Sequence, residues 1–259
     1  MITFECMKLF FRHSGQGPPM IILHGLFGSS DNWYSLAKVF ATQFTVFVVD
    51  QRNHGLSPHS PDFNYELLTE DLKDFITSNG IIKPIIIGHS MGGKTTMNFA
   101  VRYPELVSKI IIVDIVPKSY PVHHDHILEG LKALPLSSLS SRSEADRILS
   151  GFVPAPGVRQ FLLKSLYRKE DASFAWRINL EAIEQNIEAM GAGMVYPGTY
   201  HGPALFIKGM HSDYYEEGDE GLIRAIFPNA TFFVMETGHW VQAEKPEEFS
   251  KLVLGYLAE

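Results

Sequence analysis

The chain has 259 residues, of which 45% are hydrophobic and 20% charged, as expected for one large globular domain or a domain with an insertion. Its formal net charge of -7 gives no general attraction for nucleic acid or an anionic membrane surface, so we expect neither partner. The only cysteine, Cys6, excludes an intrachain disulfide and fits a core or edge-strand position. With no leader-like start and no apolar run of transmembrane length, we expect a protein of the reducing cytoplasm.

Short apolar strands alternate with helical patterns over the first 118 residues. Residues 2–12, which precede a turn cluster at 13–18, predict an antiparallel hairpin at a sheet edge. Further strands are predicted at 20–23, 44–49, 85–87 and 109–113. Helices are predicted at 31–42, at 65–78 and in the segment that follows the strand at 85–87 and ends at 103. Because these strands are continuous apolar runs, they indicate a parallel sheet covered by helices on both faces. Ligands bind such sheets at the carboxyl ends of the strands.

The alternation stops between residues 119 and 196. Four helical patterns follow, at 121–134, 142–151, 157–169 and 174–190, without a strand run. We therefore predict a helical cap at 119–196, inserted into a core formed by 1–118 and 197–259. The core pattern resumes with strands at 203–209 and 230–235 and helices at 221–227 and 246–257.

A histidine-rich stretch opens the predicted cap, with the sequence His123-His124-Asp125-His126. Adjacent histidines on a helix point in different directions, so they do not converge on one ion. We interpret the stretch as a solvated helix start and predict no metal site.

The segment at 85–94 predicts a nucleophile. A buried strand ends in Gly88-His89-Ser90-Met91-Gly92 and a helix begins at once, which is the strand–turn–helix context of a G-x-S-x-G elbow. The two glycines leave room where side chains would collide with neighbouring backbone, and Ser90 stands at the carboxyl end of the strand. The alternative is a glycine-rich turn in which Ser90 has no chemical role.

A serine hydroxyl needs a base within hydrogen-bond reach and a third group that orients the base. His239 follows the last predicted strand at the same sheet edge as Ser90, and we predict that it is the base. His24 and His54 are rivals by location. Both lie in tight loops beside glycines, where an imidazole usually hydrogen-bonds to backbone groups.

Two aspartates between Ser90 and His239 follow predicted strands, as this architecture requires of the acid. Asp114 comes directly after the strand at 109–113. Asp213 comes four residues after Gly209, in a more polar loop. Sequence position alone leaves both open, since aspartate is also a common turn former.

Two main-chain amides are candidates for an oxyanion hole. The amide after the nucleophile belongs to Met91, and Leu26 in the first strand–helix loop supplies the second, with Phe27 as the fallback. The side chains of Leu26, Phe27 and Met91 would line the acyl site as apolar walls. We assign Phe27 and Trp240, the neighbour of His239, to substrate binding.

Four motifs carry a resemblance to the α/β-hydrolase superfamily and, more narrowly, to the YbfF-type esterases. They are His24-Gly25-Leu26-Phe27-Gly28, Asp50-Gln51-Arg52-Asn53-His54-Gly55-Leu56-Ser57-Pro58, Gly88-His89-Ser90-Met91-Gly92-Gly93 and Gly238-His239-Trp240. The resemblance implies a Ser-His-Asp hydrolase of esters or acyl thioesters without a metal or organic cofactor. In these esterases the acid lies in a "VDIxP" segment, which corresponds to Asp114. Many other superfamily members place it three residues after a glycine, a spacing from which Asp213 departs.

We therefore predict the α/β-hydrolase fold, with a mostly parallel eight-stranded sheet flanked by helices and an inserted helical cap. The predicted function is cleavage of a small carboxylic ester or an acyl-CoA thioester through Ser90, His239 and Asp114, with Asp213 as the alternative acid. A carbon–carbon bond hydrolase of the same fold is the alternative enzyme, and a non-catalytic ligand-binding homologue is the alternative without chemistry. Acyl chain length, leaving group, cap arrangement and oligomeric state do not follow from the sequence.

Overall fold

The computed structural model describes residues 7–121 and 125–258. The predicted core or edge-strand position of Cys6 lies outside the described residues, and so do His123 and His124 of the predicted solvated helix start.

Nine strands lie in the described residues. They are β1 (Phe11–Ser14), β2 (Pro19–Leu23), β3 (Thr45–Val49), β4 (Ile85–His89), β5 (Lys109–Val113), β6 (Leu166–Arg168), β7 (Phe174–Trp176), β8 (Ala204–Gly209) and β9 (Ala230–Met235). Seven of them form the main sheet in the order β1-β3-β2-β4-β5-β8-β9, and β6 and β7 pair separately. Every neighbouring pair in the main sheet is parallel except β1 with β3, so the predicted mostly parallel sheet is confirmed.

Helices pack on both faces of this sheet and in the segment between β5 and β8. They are α1 (Tyr34–Phe40), α2 (Tyr65–Ser78), α3 (Met91–Arg102), α4 (Asp125–Lys132), α5 (Arg142–Leu149), α6 (Pro156–Leu163), α7 (Leu180–Gln185), α8 (Ile187–Gly191), α9 (Asp219–Ile226), α10 (Val241–Glu244) and α11 (Pro246–Ala258). Successive strand residues point to opposite faces. Ile21 therefore packs in the cluster that contains α2 and α3, whereas Ile22 packs in the cluster that contains α1 and α11.

The amino-terminal edge is described only in part, because residues 2–6 of the hairpin predicted at 2–12 lie outside the described residues. The described strand there, β1, is antiparallel and at the sheet edge as expected, but its partner is β3 rather than a neighbour along the chain. Both sides of β2 are already taken by β3 and β4, so the exposed β1 joins the outer side of β3. The main sheet has seven strands in the described residues, and the eight-stranded count stays a prediction.

The segment between β5 and β8 carries α4 to α8. We predicted only helices there, but the segment also contains two short strands. The antiparallel pair β6–β7 replaces the ends of two expected helices, at 157–169 and 174–190. The turn between the strands explains the difference. Asp171 accepts hydrogen bonds from the amide and hydroxyl of Ser173, and Ala172 has a left-handed φ of 67°. The division of the chain at 119 and 196 stays a prediction.

Candidate active site

Ser90 lies on a strained turn between β4 and α3. Its φ of 52° and ψ of -116° fall in a region that non-glycine residues rarely adopt. Its amide donates to the carbonyl of Val113 at 3.1 Å, so the turn is tied to the end of β5. Strain at a half-buried serine between a buried strand and a helix is the geometry expected of a nucleophile elbow.

The glycines of the elbow are required by close backbone contacts. A Cβ on Gly92 would lie 2.5 Å from the carbonyl oxygen of Leu23 and 2.7 Å from that of His24. A Cβ on Gly88 would overlap the carbonyl oxygen of Gly92. The first turn of α3 therefore packs directly on the end of β2, as the motif predicts.

Asp114 follows β5 immediately and is fully buried, with a left-handed φ of 51°. Its Oδ1 accepts the amide of Gly209 at 2.8 Å, and its Oδ2 accepts the hydroxyl of Ser212. The Oδ2 atom also accepts Nδ1–H of His239 at 2.8 Å. Three donors therefore fix the orientation of this carboxyl group.

The structure thus brings His239 to Asp114 and not to Asp213, which is exposed on the loop after β8. That loop nonetheless supplies Ser212, and it also supplies Tyr214, whose ring stacks on His239. Sequence reasoning missed both residues. A serine and a tyrosine flanking a candidate acid were the only signal, and neither residue type is distinctive in a loop.

The sheet places Ser90 beside Asp114. His89 and Val113 are paired in the β4–β5 register, so Ser90 and Asp114 follow neighbouring strand ends. Within residues 7–121 and 125–258, the Ser90 hydroxyl makes no hydrogen bond. Nucleophile–base hydrogen bonds are often long before substrate binds.

His89 links the elbow to the loop that carries His239. Its Nε2–H donates to the carbonyl oxygen of His239 at 2.9 Å, and the two rings lie 4.7 Å apart. Burial holds the pKa of His89 well below its usual range, so the ring is neutral at pH 7. The contact positions the main chain of the predicted base.

His24 and His54 hydrogen-bond to loop backbone, as expected. Each donates through Nδ1–H to a nearby carbonyl and accepts a main-chain amide at Nε2, from Gln51 and Phe27 respectively. Burial lowers the pKa of His24 to about 4 and that of His54 to about 3. Both rings are therefore neutral structural groups.

The candidate oxyanion amides of Leu26 and Met91 differ in their hydrogen bonding from the fallback amide of Phe27. The amide of Phe27 donates to His54 Nε2 at 3.1 Å and is therefore already used. In the part of the chain that the structure describes, the amides of Leu26 and Met91 have no such acceptor. Met91 begins α3, so its amide is one of the unpaired donors at a helix amino terminus.

Apolar side chains from the segment between β5 and β8 pack over this edge of the sheet. Phe27 and Met91 belong to the same buried cluster as residues of α4 to α8, and Leu26 packs against it. Phe161 of α6 contacts Trp240, with ring centroids 5.8 Å apart. The inserted segment thus borders the candidate site on its apolar side.

A buried lysine lies one helical turn beyond Ser90. Lys94 is only 1% exposed, and its Nζ donates to the carbonyl of Ala192 at 2.9 Å and lies near the rings of Tyr65 and Tyr120. The Tyr65 hydroxyl donates to the carbonyl of Met190, and the Tyr120 amide donates to the carbonyl of Gly191. Burial lowers the pKa of Lys94 to about 8. These three donors fasten the end of α8 to the core.

No three His, Cys, Asp or Glu side chains among the described residues are arranged to hold a metal ion. Across residues 7–121 and 125–258, no helix has both the length and the apolar character that a membrane span requires.

Comparison with known proteins shows which family of proteins shares this fold. A family model of the α/β-hydrolase fold matches residues 18–147, and the chain belongs to that family. The predicted fold class is therefore confirmed.

Individual relatives are similar over nearly the whole chain. Esterase YbfF of Escherichia coli (strain K12) is 37% identical, with 92% of each chain covered. The sn-1-specific diacylglycerol lipase ABHD11 of Mus musculus is 38% identical over 93% of this chain and 81% of its own length. A solved structure of a marine microorganism esterase is 42% identical, with a TM-score of 0.94 over 96% of this chain and 99% of that one. The predicted resemblance to YbfF-type esterases is confirmed.

Proposed function

We propose that this chain is a serine hydrolase of carboxylic esters, in which Ser90 is the nucleophile, His239 the general base and Asp114 the acid. The observation that carries the proposal is the 2.8 Å hydrogen bond from His239 Nδ1–H to buried Asp114, beside a serine on a strained strand–helix turn. The names of the similar proteins, two esterases and a diacylglycerol lipase, support an ester as the substrate class.

In the acylation step, Ser90 Oγ attacks the acyl carbon while His239 Nε2 takes its proton. The Nδ1–H bond to Asp114 fixes the tautomer that leaves Nε2 able to accept. Asp114 stays ionised and stabilises the imidazolium, helped by the hydrogen bonds from Gly209 and Ser212.

The tetrahedral intermediate carries a negative oxygen, which we assign to the amides of Leu26 and Met91. Each such donor typically contributes ~3 kcal/mol to transition-state stabilisation. Collapse of the intermediate expels the alcohol or thiol, which takes the proton from the imidazolium. Water then attacks the acyl-enzyme with His239 again as base, and Ser90 is regenerated. The chemistry needs no metal or organic cofactor.

The substrate is proposed to be a small-molecule ester or an acyl-CoA thioester, bound by its acyl chain against Phe27 and Trp240. The shared cluster of Phe27 with α4 to α8 supports a helical cap at 119–196 as the second wall. The contact between Phe161 and Trp240 supports the same arrangement.

The test is a hydrolysis panel on the purified protein, with p-nitrophenyl esters of increasing chain length and acyl-CoA thioesters, alongside Ser90→Ala. We expect turnover of at least one class by the wild type and its loss in Ser90→Ala with an unchanged melting temperature. Equal activity of the variant would overturn the mechanism. Turnover of neither class, with turnover of a carbon–carbon bond substrate, would favour the alternative enzyme.

A further inference from the structure

The ring of Tyr214 lies flat against the imidazole of His239. The ring centroids are 3.9 Å apart and the planes differ by 15°. Tyr120 holds the tyrosine, because its hydroxyl donates to the Tyr214 carbonyl at 2.9 Å and its ring lies 5.1 Å from the Tyr214 ring. The stack is therefore fixed by the fold.

The stack with Tyr214 differs in geometry from the other contacts that the His239 imidazole makes. Asp114 hydrogen-bonds Nδ1 in the plane of the imidazole, and Trp240 meets the ring edge-on at 5.4 Å. The neighbouring His89 is neutral because burial lowers its pKa. Of these neighbours Asp114 alone carries a formal charge, and only Tyr214 stacks nearly parallel to the imidazole.

The stacked face of an aromatic ring stabilises a positive charge on the group that lies over it. The face of an aromatic ring is the negative part of its quadrupole and attracts a cation placed over it. His239 becomes a cation when it accepts the serine proton. Because the neutral imidazole gains less from the same contact, the stack favours the charged form that develops in the transition state.

We propose that Tyr214 is a positioning residue that stabilises the His239 imidazolium through its ring face and limits rotation of the imidazole. This inference rests on the proposed function, since it assigns the stack to the base of that reaction.

The test replaces Tyr214 with Phe and with phenylalanines carrying increasing numbers of fluorine atoms. Fluorine weakens the negative face while the ring keeps nearly the same shape. We expect Tyr214→Phe to keep at least about half of the wild-type kcat, because the face is retained. Across the fluorinated series we expect the midpoint of the His239 imidazole titration, followed by NMR, to fall by about half a pH unit, and kcat to fall about threefold.

Titration midpoints that do not change with fluorination would overturn the inference, and so would Tyr214→Phe showing the full loss. Tyr214→Leu adds a variant without a ring, and we expect its titration midpoint to match that of the most fluorinated protein. The NMR titration needs no turnover. If Ser90→Ala kept its activity, the proposed function would fail, while the titration would still decide whether the stack favours the imidazolium.

Discussion

The two halves of the candidate site are held in place by different means. On the nucleophile side, Ser90 is positioned by main-chain geometry: a strained turn, a hydrogen bond from its amide to the Val113 carbonyl, and glycines that let α3 pack on β2. On the other side, His239 and Asp114 are positioned mainly by hydrogen bonds and ring contacts that come from several loops.

The two halves should therefore respond differently to substitutions. The elbow depends on close contacts between main-chain atoms. A substitution there therefore disturbs both the turn at Ser90 and the packing of α3 on β2. In the side-chain network, loss of a supporting member such as Ser212 leaves the other contacts to Asp114 in place, so it should cost less activity than loss of Asp114 itself.

The largest effect is expected at the acid. Asp114→Asn keeps the shape but removes the charge and permits the wrong imidazole tautomer, so we expect kcat to fall roughly 10³- to 10⁴-fold. Asp213→Asn is the matched control, since Asp213 is exposed and does not pair with His239. Steady-state kinetics of both variants measure the difference. Equal losses in the two, or a loss only in Asp213→Asn, would contradict the assignment.

The elbow should respond to one added methyl group. Gly92→Ala places a Cβ against the carbonyl oxygens of Leu23 and His24, and we expect a loss of about 3 kcal/mol in the free energy of unfolding, with strongly reduced activity.

Gly221→Ala is the control for this effect, because an added Cβ on that helical glycine would meet nothing within 4 Å apart from its chain neighbours and its own helix backbone. It should be neutral or stabilising by up to about 1 kcal/mol. Urea unfolding of both variants decides the point. The account of the elbow fails if Gly92→Ala is as stable as the wild type.

A smaller and graded effect is expected at Ser212. Ser212→Ala removes one of the hydrogen bonds to Asp114 and leaves those from Gly209 and His239, so we expect kcat/KM to fall about tenfold. Ser212→Thr retains the hydroxyl and should recover part of the loss. A Ser212→Ala enzyme with wild-type kinetics would show that the serine does not support the acid.

The smallest effect concerns the core rather than the chemistry. Because the pKa of Lys94 is lowered to about 8 from 10.5, the unfolded chain binds more protons than the folded one between these pH values. The free energy of unfolding should therefore rise with pH there, by about 1 kcal/mol between about pH 8 and pH 9. Denaturant titrations should show this rise reduced in Lys94→Met, and an identical pH dependence in both proteins would refute it.

The contrast between the two halves also explains what sequence could predict. Strands such as Lys109–Val113 and the elbow at Ser90 are encoded in continuous stretches, so apolar runs and glycine spacing predicted them. Ser212 meets Asp114 across 98 positions, and no local pattern marks that contact. The stack of Tyr214 on His239 depends in the same way on where two loops meet.

The inserted segment was harder to predict for a different reason. Its strands β6 and β7 are three residues long, which is too short for an alternating pattern to stand out from helical spacing. The polar turn at 169–173 was the available signal. Pairing of such short strands is decided by the turn and by packing, as the bond from the Phe174 amide to the Leu136 carbonyl illustrates.

The central claim is that Ser90 is an activated nucleophile, and covalent labelling tests it most directly. The native protein, the heat-denatured protein and Ser90→Ala would each be treated with a fluorophosphonate and mapped by peptide mass spectrometry. We predict a single adduct on Ser90 in the native protein and none in the other two. An unlabelled native protein, or a label that persists in Ser90→Ala, would contradict the account.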